Sequence, residues 1–237
     1  MERPQGGPRR LRVTAIIPAL NEEAAIGPVV EGLVRTGLRD VIVVDNGSAD
    51  STAERARAAG ARVVTEPQRG YGAACWAGLQ AAHEADVVLF LDGDGSDDPA
   101  EAPRLLQPIQ DGTADLVLGA RLVDGSETGA LTPQARVGNW VVTRLIRALY
   151  GLQLRDIPSF RAIPRKDVER LQMRERTYGW PVEMVVKAAK RGHRIHEAPT
   201  RYRRRRGGRS KVAGTVRGTI LAAWSMLATT LRHAWRP

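Results

Sequence analysis

Between residues 13 and 119, short runs of β-branched and aliphatic residues alternate with segments of helical length, and this alternation restricts the fold more than any other feature of the chain. The apolar runs fall at residues 13–17, 41–44, 63–65, 87–91 and 115–119, with the length and continuous hydrophobicity of strands buried on both faces. The intervening segments, 21–36, 53–59, 70–82 and 99–110, read as helices, and Gly37 and Gly60 stand just past two of their ends. Pro18 is expected to stop the first strand, and Asn21 to cap the first helix ahead of Glu22 and Glu23. Strand–helix alternation gives a mainly parallel sheet with helices on both faces. Ligands bind such sheets beyond the carboxyl ends of the strands, at a topological switch point. The polar loops that begin at Pro18, Asp45 and Asp92 each follow a strand, so all three can meet at one edge.

The fourth run leads directly into acid: Val87-Val88-Leu89-Phe90-Leu91-Asp92-Gly93-Asp94-Gly95-Ser96-Asp97-Asp98-Pro99. Carboxylates cannot sit unpaired in the core, so they belong on a loop at the strand's end. Asp92 and Asp94, two apart in extended chain, lean the same way, and Gly93 and Gly95 allow a sharp turn and close approach of a ligand. Two hard oxygen donors beside open space suit Mg²⁺ or Mn²⁺ completed by substrate phosphates. Alone, the same residues would equally describe a solvated turn, with Asp98-Pro99 capping the next helix.

Several classes are excluded. No G-x-G-x-x-G follows the first strand and no G-x-x-x-x-G-K-[ST] occurs, which argues against dinucleotide cofactors and P-loop nucleotide hydrolysis. Cys75 is the only cysteine, so no internal disulfide forms; it reads as a small hydrophobe on a helix. Residues 1–11 are polar and rich in Pro, Gly and Arg, without the apolar centre of a signal peptide, and read as a disordered lead-in. No uncharged apolar run approaches the roughly 20 residues that span a bilayer.

Three motifs in order point to a family: Ile17-Pro18-Ala19-Leu20-Asn21-Glu22-Glu23, Val43-Val44-Asp45-Asn46-Gly47-Ser48-Ala49-Asp50 and Leu91-Asp92-Gly93-Asp94. Together they resemble a glycosyltransferase of family 2, with the GT-A nucleotide-diphospho-sugar fold: a Rossmann-like, mainly parallel α/β sheet. Gly119-Ala120-Arg121, residues 156–162, Gly179-Trp180-Pro181-Val182-Glu183 and Arg209-Ser210-Lys211 resemble the dolichol-phosphate mannosyltransferase and polyprenyl-phosphate glucosyltransferase branch. The resemblance implies a donor pocket formed by Pro18, Ala19, Leu20, Glu22 and Asp45. It implies a divalent metal held by Asp92 and Asp94 beside Gly93. Arg121, Arg136, Ser159, Arg161, Arg203, Ser210 and Lys211 would surround the phosphates and the acceptor. Ser96 stands where mannosyltransferases of the branch often carry glutamine, and Asn46 replaces the second aspartate of the common Asp-Asp-Gly-Ser pattern.

Other readings of these residues stand beside that one. Asp45 could serve only the Asx turn with Asn46 and Ser48; Asp50 reads as the cap of the second helix. Arg161 could pair with Asp156 in a Pro-broken loop. The arginines of the amphipathic stretch 136–150 could be a solvated face or an approach for phosphate. Glu183 is either a helix-surface acid or an acid at the acceptor site, and the acceptor's chemistry decides its importance. A hydroxyl acceptor needs a general base, whereas a phosphate monoester, with its second pKa of about 6, is already largely dianionic. The expected catalytic set is Asp94, Arg121 and Glu183.

The net charge of +10 is concentrated locally, since residues 201–211 hold seven basic groups. Beyond them, Val212, Val216, Ile220, Trp224, Leu227 and Leu231 recur at helical spacing. The division expected is a lead-in at 1–11, a GT-A domain at 12–211 and an amphipathic helix at 212–237. A basic, amphipathic end suits an anionic membrane surface on the cytoplasmic side, and would alternatively dock on the protein's own core. The basic run could also bind nucleic acid, but no such motif accompanies it. The resemblance therefore implies metal-dependent, inverting transfer of a hexose from a nucleotide-diphospho-sugar, and the basic amphipathic end favours polyprenyl phosphate as the acceptor. Its rivals are a soluble hydroxyl acceptor activated by Glu183, and a non-catalytic nucleotide-sugar or nucleic-acid binding module.

Overall fold

The computed structural model describes residues 11–121, 127, 129–206 and 216–234. The lead-in up to residue 10, and Ser210 and Lys211, lie outside the described residues.

The strands are β1 (Val13–Ala19), β2 (Asp40–Asp45), β3 (Arg62–Thr65), β4 (Val87–Phe90), β5 (Leu116–Ala120), β6 (Arg161–Pro164) and β7 (Ile195–Pro199). The helices are α1 (Ile26–Arg35), α2 (Thr52–Ala58), α3 (Tyr71–Ala81), α4 (Ala102–Gln110), α5 (Pro133–Tyr150), α6 (Arg165–Leu171), α7 (Trp180–Lys190) and α8 (Val216–Ala234). They form one seven-stranded sheet in the order β3-β2-β1-β4-β6-β5-β7. All neighbours are parallel except β6, which runs antiparallel to both β4 and β5. The chain winds outward through β2 and β3, then returns to place β4 on the other side of β1. The switch point is therefore the gap between the carboxyl ends of β1 and β4, where the acidic run ends.

Side chains alternate across the sheet and build two cores. Ala15, Ile17, Val41, Val43, Leu89 and Val117 meet α1, α2 and α4 on one face. Ile16, Ile42, Val44, Val88, Phe90 and Leu118 meet α3, α5, α6 and α7 on the other, where Met226 and Leu227 of α8 join them. Trp180, fully buried, presents ring edges to both Phe90 and Trp76. α8 packs along α7 and α5: Thr229 Oγ1 donates to Glu175, the Tyr150 hydroxyl donates to the Thr230 carbonyl, and Lys190 Nζ donates to the His233 carbonyl. Docking on the protein is thus real for one side of α8, while Leu221, Trp224 and Leu231 stay exposed on another.

The structure corrects three local expectations. β1 continues through Pro18, because a missing N–H near a strand end removes only one ladder bond. α1 begins at Ile26 rather than Asn21, which adopts a left-handed φ of 51° and serves another purpose. Arg161, expected at the end of a Pro-broken loop, instead begins β6 in the middle of the sheet.

α3 lies close against the sheet at Gly78, where a Cβ would fall 2.3 Å from Ile16 Cγ2 and 3.0 Å from Val44 Cγ2. Gly78→Ala should therefore lower stability by about 1–3 kcal/mol through overpacking, despite alanine's better helix propensity. Gly138, in α5 with open space at its Cβ position, should respond oppositely: Gly138→Ala should gain about 0.5–1 kcal/mol. Urea midpoints of the two variants, moving in opposite directions, test the packing.

Candidate active site

The loops after β1 and β2 are fastened to each other. Asn21 N–H donates to Ser48 Oγ at 2.9 Å, and Asn21 Oδ1 accepts from Ala49 N–H at 2.8 Å. Glu22 N–H donates to Thr52 Oγ1 at 2.8 Å. Asn21, expected as a helix cap, is thus a brace between loops, which explains its left-handed backbone. Asp50, expected to cap α2, stands one residue before the cap position, which Ser51 occupies, and accepts from Thr52 N–H at 3.1 Å. Asp45 is half-buried at the crevice and accepts from Ser48 N–H at 3.0 Å, the geometry of an Asx turn. Asn46 has a structural use: its amide donates to the carbonyls of Glu66 and Gln68, and its Oδ1 accepts from Gly70 N–H. An aspartate there would lose both donations.

At the end of β4 the acids crowd together. Asp92 keeps partial contact with solvent at the crevice mouth, while Asp94, Asp97 and Asp98 are buried. Burial, reinforced by the Asp94 charge, raises the Asp92 carboxyl to about 6, against the Ser159 hydroxyl bonded to it. Asp97 is raised well above the ordinary carboxylate range by burial and by Asp92 and Asp94; it accepts from Asp92 N–H at 3.3 Å. Asp94 Oδ1 accepts from both the N–H and the hydroxyl of Ser96, at 2.8 and 2.5 Å. Ser96 therefore positions Asp94. Asp98 Oδ1 caps the short 3₁₀ turn at Pro99–Glu101, as the sequence anticipated.

These acids are balanced by residues 201–206, which lie alongside them as an extended strap. Arg206 N–H donates to the Asp94 carbonyl at 3.1 Å, Arg203 N–H donates to the Ser96 carbonyl at 2.8 Å, and Asp97 and Tyr202 form an antiparallel bridge. Alternate side chains point to the acids. Arg201 meets Glu101 at 2.9 Å, Arg203 meets Asp98 at 2.6 Å, and Arg205 spans Asp94 and Glu22, 2.7 Å from each. Between them Tyr202 lies against Arg121, whose guanidinium is 5.2 Å from the ring centre. Arg121 holds Asp156 through two parallel hydrogen bonds of 2.8 Å, keeping that buried carboxyl below its usual range and its own guanidinium charged.

Several expected phosphate ligands are occupied differently. Asp156 pairs with Arg121, not Arg161. Arg161 is fully buried, and its guanidinium donates to the carbonyls of Pro158 and Pro181; burial lowers it to about 10. It holds two chain segments together and cannot reach an acceptor. Arg203 pairs with Asp98. Ser159 is bonded to Asp92 and also touches Tyr71, so it orients an acid of the crevice. Arg136 is exposed near the start of α5. Glu183 is 1% exposed: its carboxylate accepts from the N–H groups of Arg174 and Glu175, and Lys187 Nζ lies 2.7 Å away. Glu183, expected as a base only if the acceptor is a hydroxyl, here anchors residues 174–175 to α7. The buried thiol of Cys75 is pushed up well beyond its ordinary range and is inert.

The sequence reading missed Asp97 and, above all, Arg205. One signal was present: Arg201, Arg203 and Arg205 alternate as successive side chains on one face of an extended segment do.

An open α/β sheet with a carboxylate crevice at its switch point, framed by phosphate-compatible loops, defines the GT-A class of nucleotide-sugar glycosyltransferases. The chain belongs to Glycosyl transferase family 2, whose profile matches residues 14–172. It is 40% identical over 211 residues to an uncharacterized glycosyltransferase of Mycobacterium tuberculosis, covering 89% of this chain and 94% of that one. It is 34% identical over 235 residues to the undecaprenyl-phosphate mannosyltransferase of Micrococcus luteus, covering 92% and 96% respectively. Among solved structures it resembles glucosyl-3-phosphoglycerate synthase from M. tuberculosis in complex with Mn²⁺, uridine diphosphate and phosphoglyceric acid. The TM-score is 0.76 and the identity 25%, over 96% of this chain and 80% of that one. The chain is a glycosyltransferase with a mixed α/β GT-A fold.

The raised Asp92 has a stability consequence. The folded chain holds this proton more tightly than the unfolded chain does, so stability is lost as pH rises through about 6. In metal-free buffer Asp92→Asn should melt higher than the wild type above pH 7, by an amount worth about 1–3 kcal/mol, and the gap should close below about pH 4. Thermal melts across that range measure it.

Proposed function

We propose that this glycosyltransferase moves a hexose from a nucleotide-diphospho-sugar to a polyprenyl phosphate at a membrane surface, with a divalent metal at Asp92 and Asp94. The observation that carries the acceptor assignment is the engagement of the acids. Glu183 is bonded to main chain and Lys187; Glu22 and Asp94 share Arg205, and Asp98 and Glu101 hold Arg203 and Arg201. A hydroxyl acceptor would need a base, and each of these five acids already has a partner. A phosphate monoester, largely dianionic at neutral pH, needs none. The named activity of the M. luteus relative supports the same acceptor class.

The residues fit a divalent cation. Two hard carboxylates meet at the crevice, and the guanidinium of Arg205 already rests on Asp94 as a stand-in positive charge. Among the described residues no cluster of three or more His, Cys, Asp or Glu side chains is arranged to hold a metal, so substrate oxygens and water would complete the shell. When bound, the ion would neutralise the donor diphosphate and favour its departure. Mg²⁺ and Mn²⁺ both suit the donor set, and Mn²⁺ accompanies uridine diphosphate in the structural neighbour.

The chain's own residues would act around that charge. Asp45 and the Pro18–Glu22 loop would hold the nucleoside. Arg205 Nε is buried without a hydrogen-bond partner, so its guanidinium has a donor to offer the diphosphate when it turns from Asp94. Arg121, fixed by Asp156 and stacked on Tyr202, would contribute a rigid positive charge. An acceptor phosphate oxygen would then form its bond to the anomeric carbon as the bond to the diphosphate oxygen breaks, with inversion. Residues 12–211 would carry the catalysis and residues 212–237 the attachment to the cytoplasmic leaflet. Among the described residues no helix is long and apolar enough to cross a membrane.

A soluble phosphorylated acceptor is a second reading, because the structural neighbour is complexed with phosphoglyceric acid. One assay separates the two: nucleoside diphosphate release from a panel of donors with Mg²⁺ or Mn²⁺, with and without short-chain polyprenyl phosphate or phosphoglyceric acid. Release that requires metal and lipid phosphate is expected; release with phosphoglyceric acid alone would overturn the lipid assignment. Asp92→Asn and Asp94→Asn should each slow turnover by about 100-fold or more. Glu183→Gln should lower the melting temperature yet keep turnover per folded molecule within about threefold, a loss far smaller than removal of a general base brings. Abolished turnover with an unchanged melt would restore Glu183 as the base.

A further inference from the structure

On the flank of the molecule, α5, the chain that follows it and edge strand β7 enclose a cavity of about 360 Å³. Arg144 and Arg147 of α5 line it together with Arg155, Thr143, Gln153 and Glu197. Its arginines differ from those of the active site. Arg121, Arg201, Arg203 and Arg205 each hold a carboxylate within 3 Å. Among the described residues, Arg144, Arg147 and Arg155 form no ion pair. The single acid in the wall, Glu197, accepts from the N–H groups of Arg155 and Asp156 and is pushed toward its neutral form by burial. Three guanidiniums around one concavity repel one another unless an anion joins them.

The apolar surroundings narrow the anion. On α5, Trp140 lies between the positions of Arg144 and Arg147; it is 58% exposed and its ring centre is 5.3 Å from the Arg144 guanidinium. Val137 and Val141 are exposed on the same helix. α8, packed on α5, exposes Leu221, Trp224 and Leu231. Neither helix contains a single Asp or Glu. Arginines, exposed tryptophans and aliphatic residues on paired acid-free helices match the boundary between headgroups and acyl chains of an anionic bilayer.

We propose that the Arg144/Arg147/Arg155 cavity is a binding site for the headgroup phosphate of an anionic phospholipid, separate from the acceptor site. It seats α5 and α8 on the bilayer. It rests on the membrane part of the proposed function, but on residues that the transfer chemistry does not use.

The test is co-sedimentation of the full chain with phosphatidylcholine vesicles, with and without phosphatidylglycerol, for the wild type and Arg144→Gln/Arg147→Gln/Arg155→Gln. All three arginines are exposed, so the variant should melt as the wild type does. The wild type should bind only the anionic vesicles, and the variant should bind them on the order of 100-fold more weakly. Trp140→Ala should weaken binding to the same vesicles at high salt, where the charge contribution is screened. Equal binding by wild type and triple variant would overturn the cavity as the headgroup site while leaving membrane attachment intact. No binding by the wild type would overturn both. Saturable stabilisation by inorganic phosphate, lost in the variant and with no vesicle binding, would overturn the lipid assignment in favour of a small soluble anion.

Discussion

The active site depends on a charge balance struck across more than a hundred residues of sequence. β4 delivers Asp92, Asp94, Asp97 and Asp98 to the crevice beside the buried Glu22, and Glu101 follows a turn later. Carboxylates so crowded and shielded from water are unstable unless cations meet them. The strap at 201–206 supplies Arg201, Arg203 and Arg205, aligned by its own backbone bonds to Asp94 and Ser96. Removing an arginine would leave a buried carboxylate without its cation, which is destabilising. The strap is therefore structure as well as surface, and the loops after β1 and β4 are joined through a single guanidinium on Glu22 and Asp94.

That arrangement also gives the crevice its readiness for ligand. Burial and neighbouring carboxylates raise Asp92 to about 6 and raise Asp97 as well, so the metal-free site resists gathering negative charge. A cation arriving with a diphosphate would favour the ionised form of Asp92 and compete with Arg205 for Asp94. The arginine so released carries a donor, its Nε, that has no partner in the present arrangement. The same side chain can thus neutralise acid in one state and diphosphate in the other.

The parallel framework was legible in the sequence because strands buried on both faces read as unbroken apolar runs, and residues 41–44 and 87–90 do so plainly. β6 was not, since Arg161-Ala162-Ile163-Pro164 begins with a charge and ends with a proline, and no local pattern marks it as central. Its place comes from tertiary pairing with β4 and β5, while the Arg161 side chain is made tolerable by carbonyls contributed by residues 158 and 181. The acid cluster was legible from Asp92 and Asp94 alone. The partners were not: whether Asp156 meets Arg121 or Arg161, and whether Glu183 faces a substrate or a main-chain loop, depends on which elements lie beside one another. Asn21 shows the same limit, since a residue type suited to capping a helix is equally suited to a left-handed brace.

The basic excess separates, in the folded chain, into two populations with different physics. Arg121 and, in the strap, Arg201, Arg203 and Arg205 sit against buried acids, so these four leave less charge for an external partner than composition alone implies. The arginines of α5 and its following loop, unremarkable in sequence, have no acid beside them on their helix and face outward with Trp140. Long-range attraction to an anionic surface depends on charge that is uncompensated and within a Debye length of that surface. By that criterion the outward arginines of α5 would each contribute more to surface attraction than Arg201, Arg203 or Arg205, and α8 sets exposed apolar area beside them. On the proposed function, the crevice would hold the nucleotide with charges already balanced by the strap, and the outward arginines of α5 would be left for a surface.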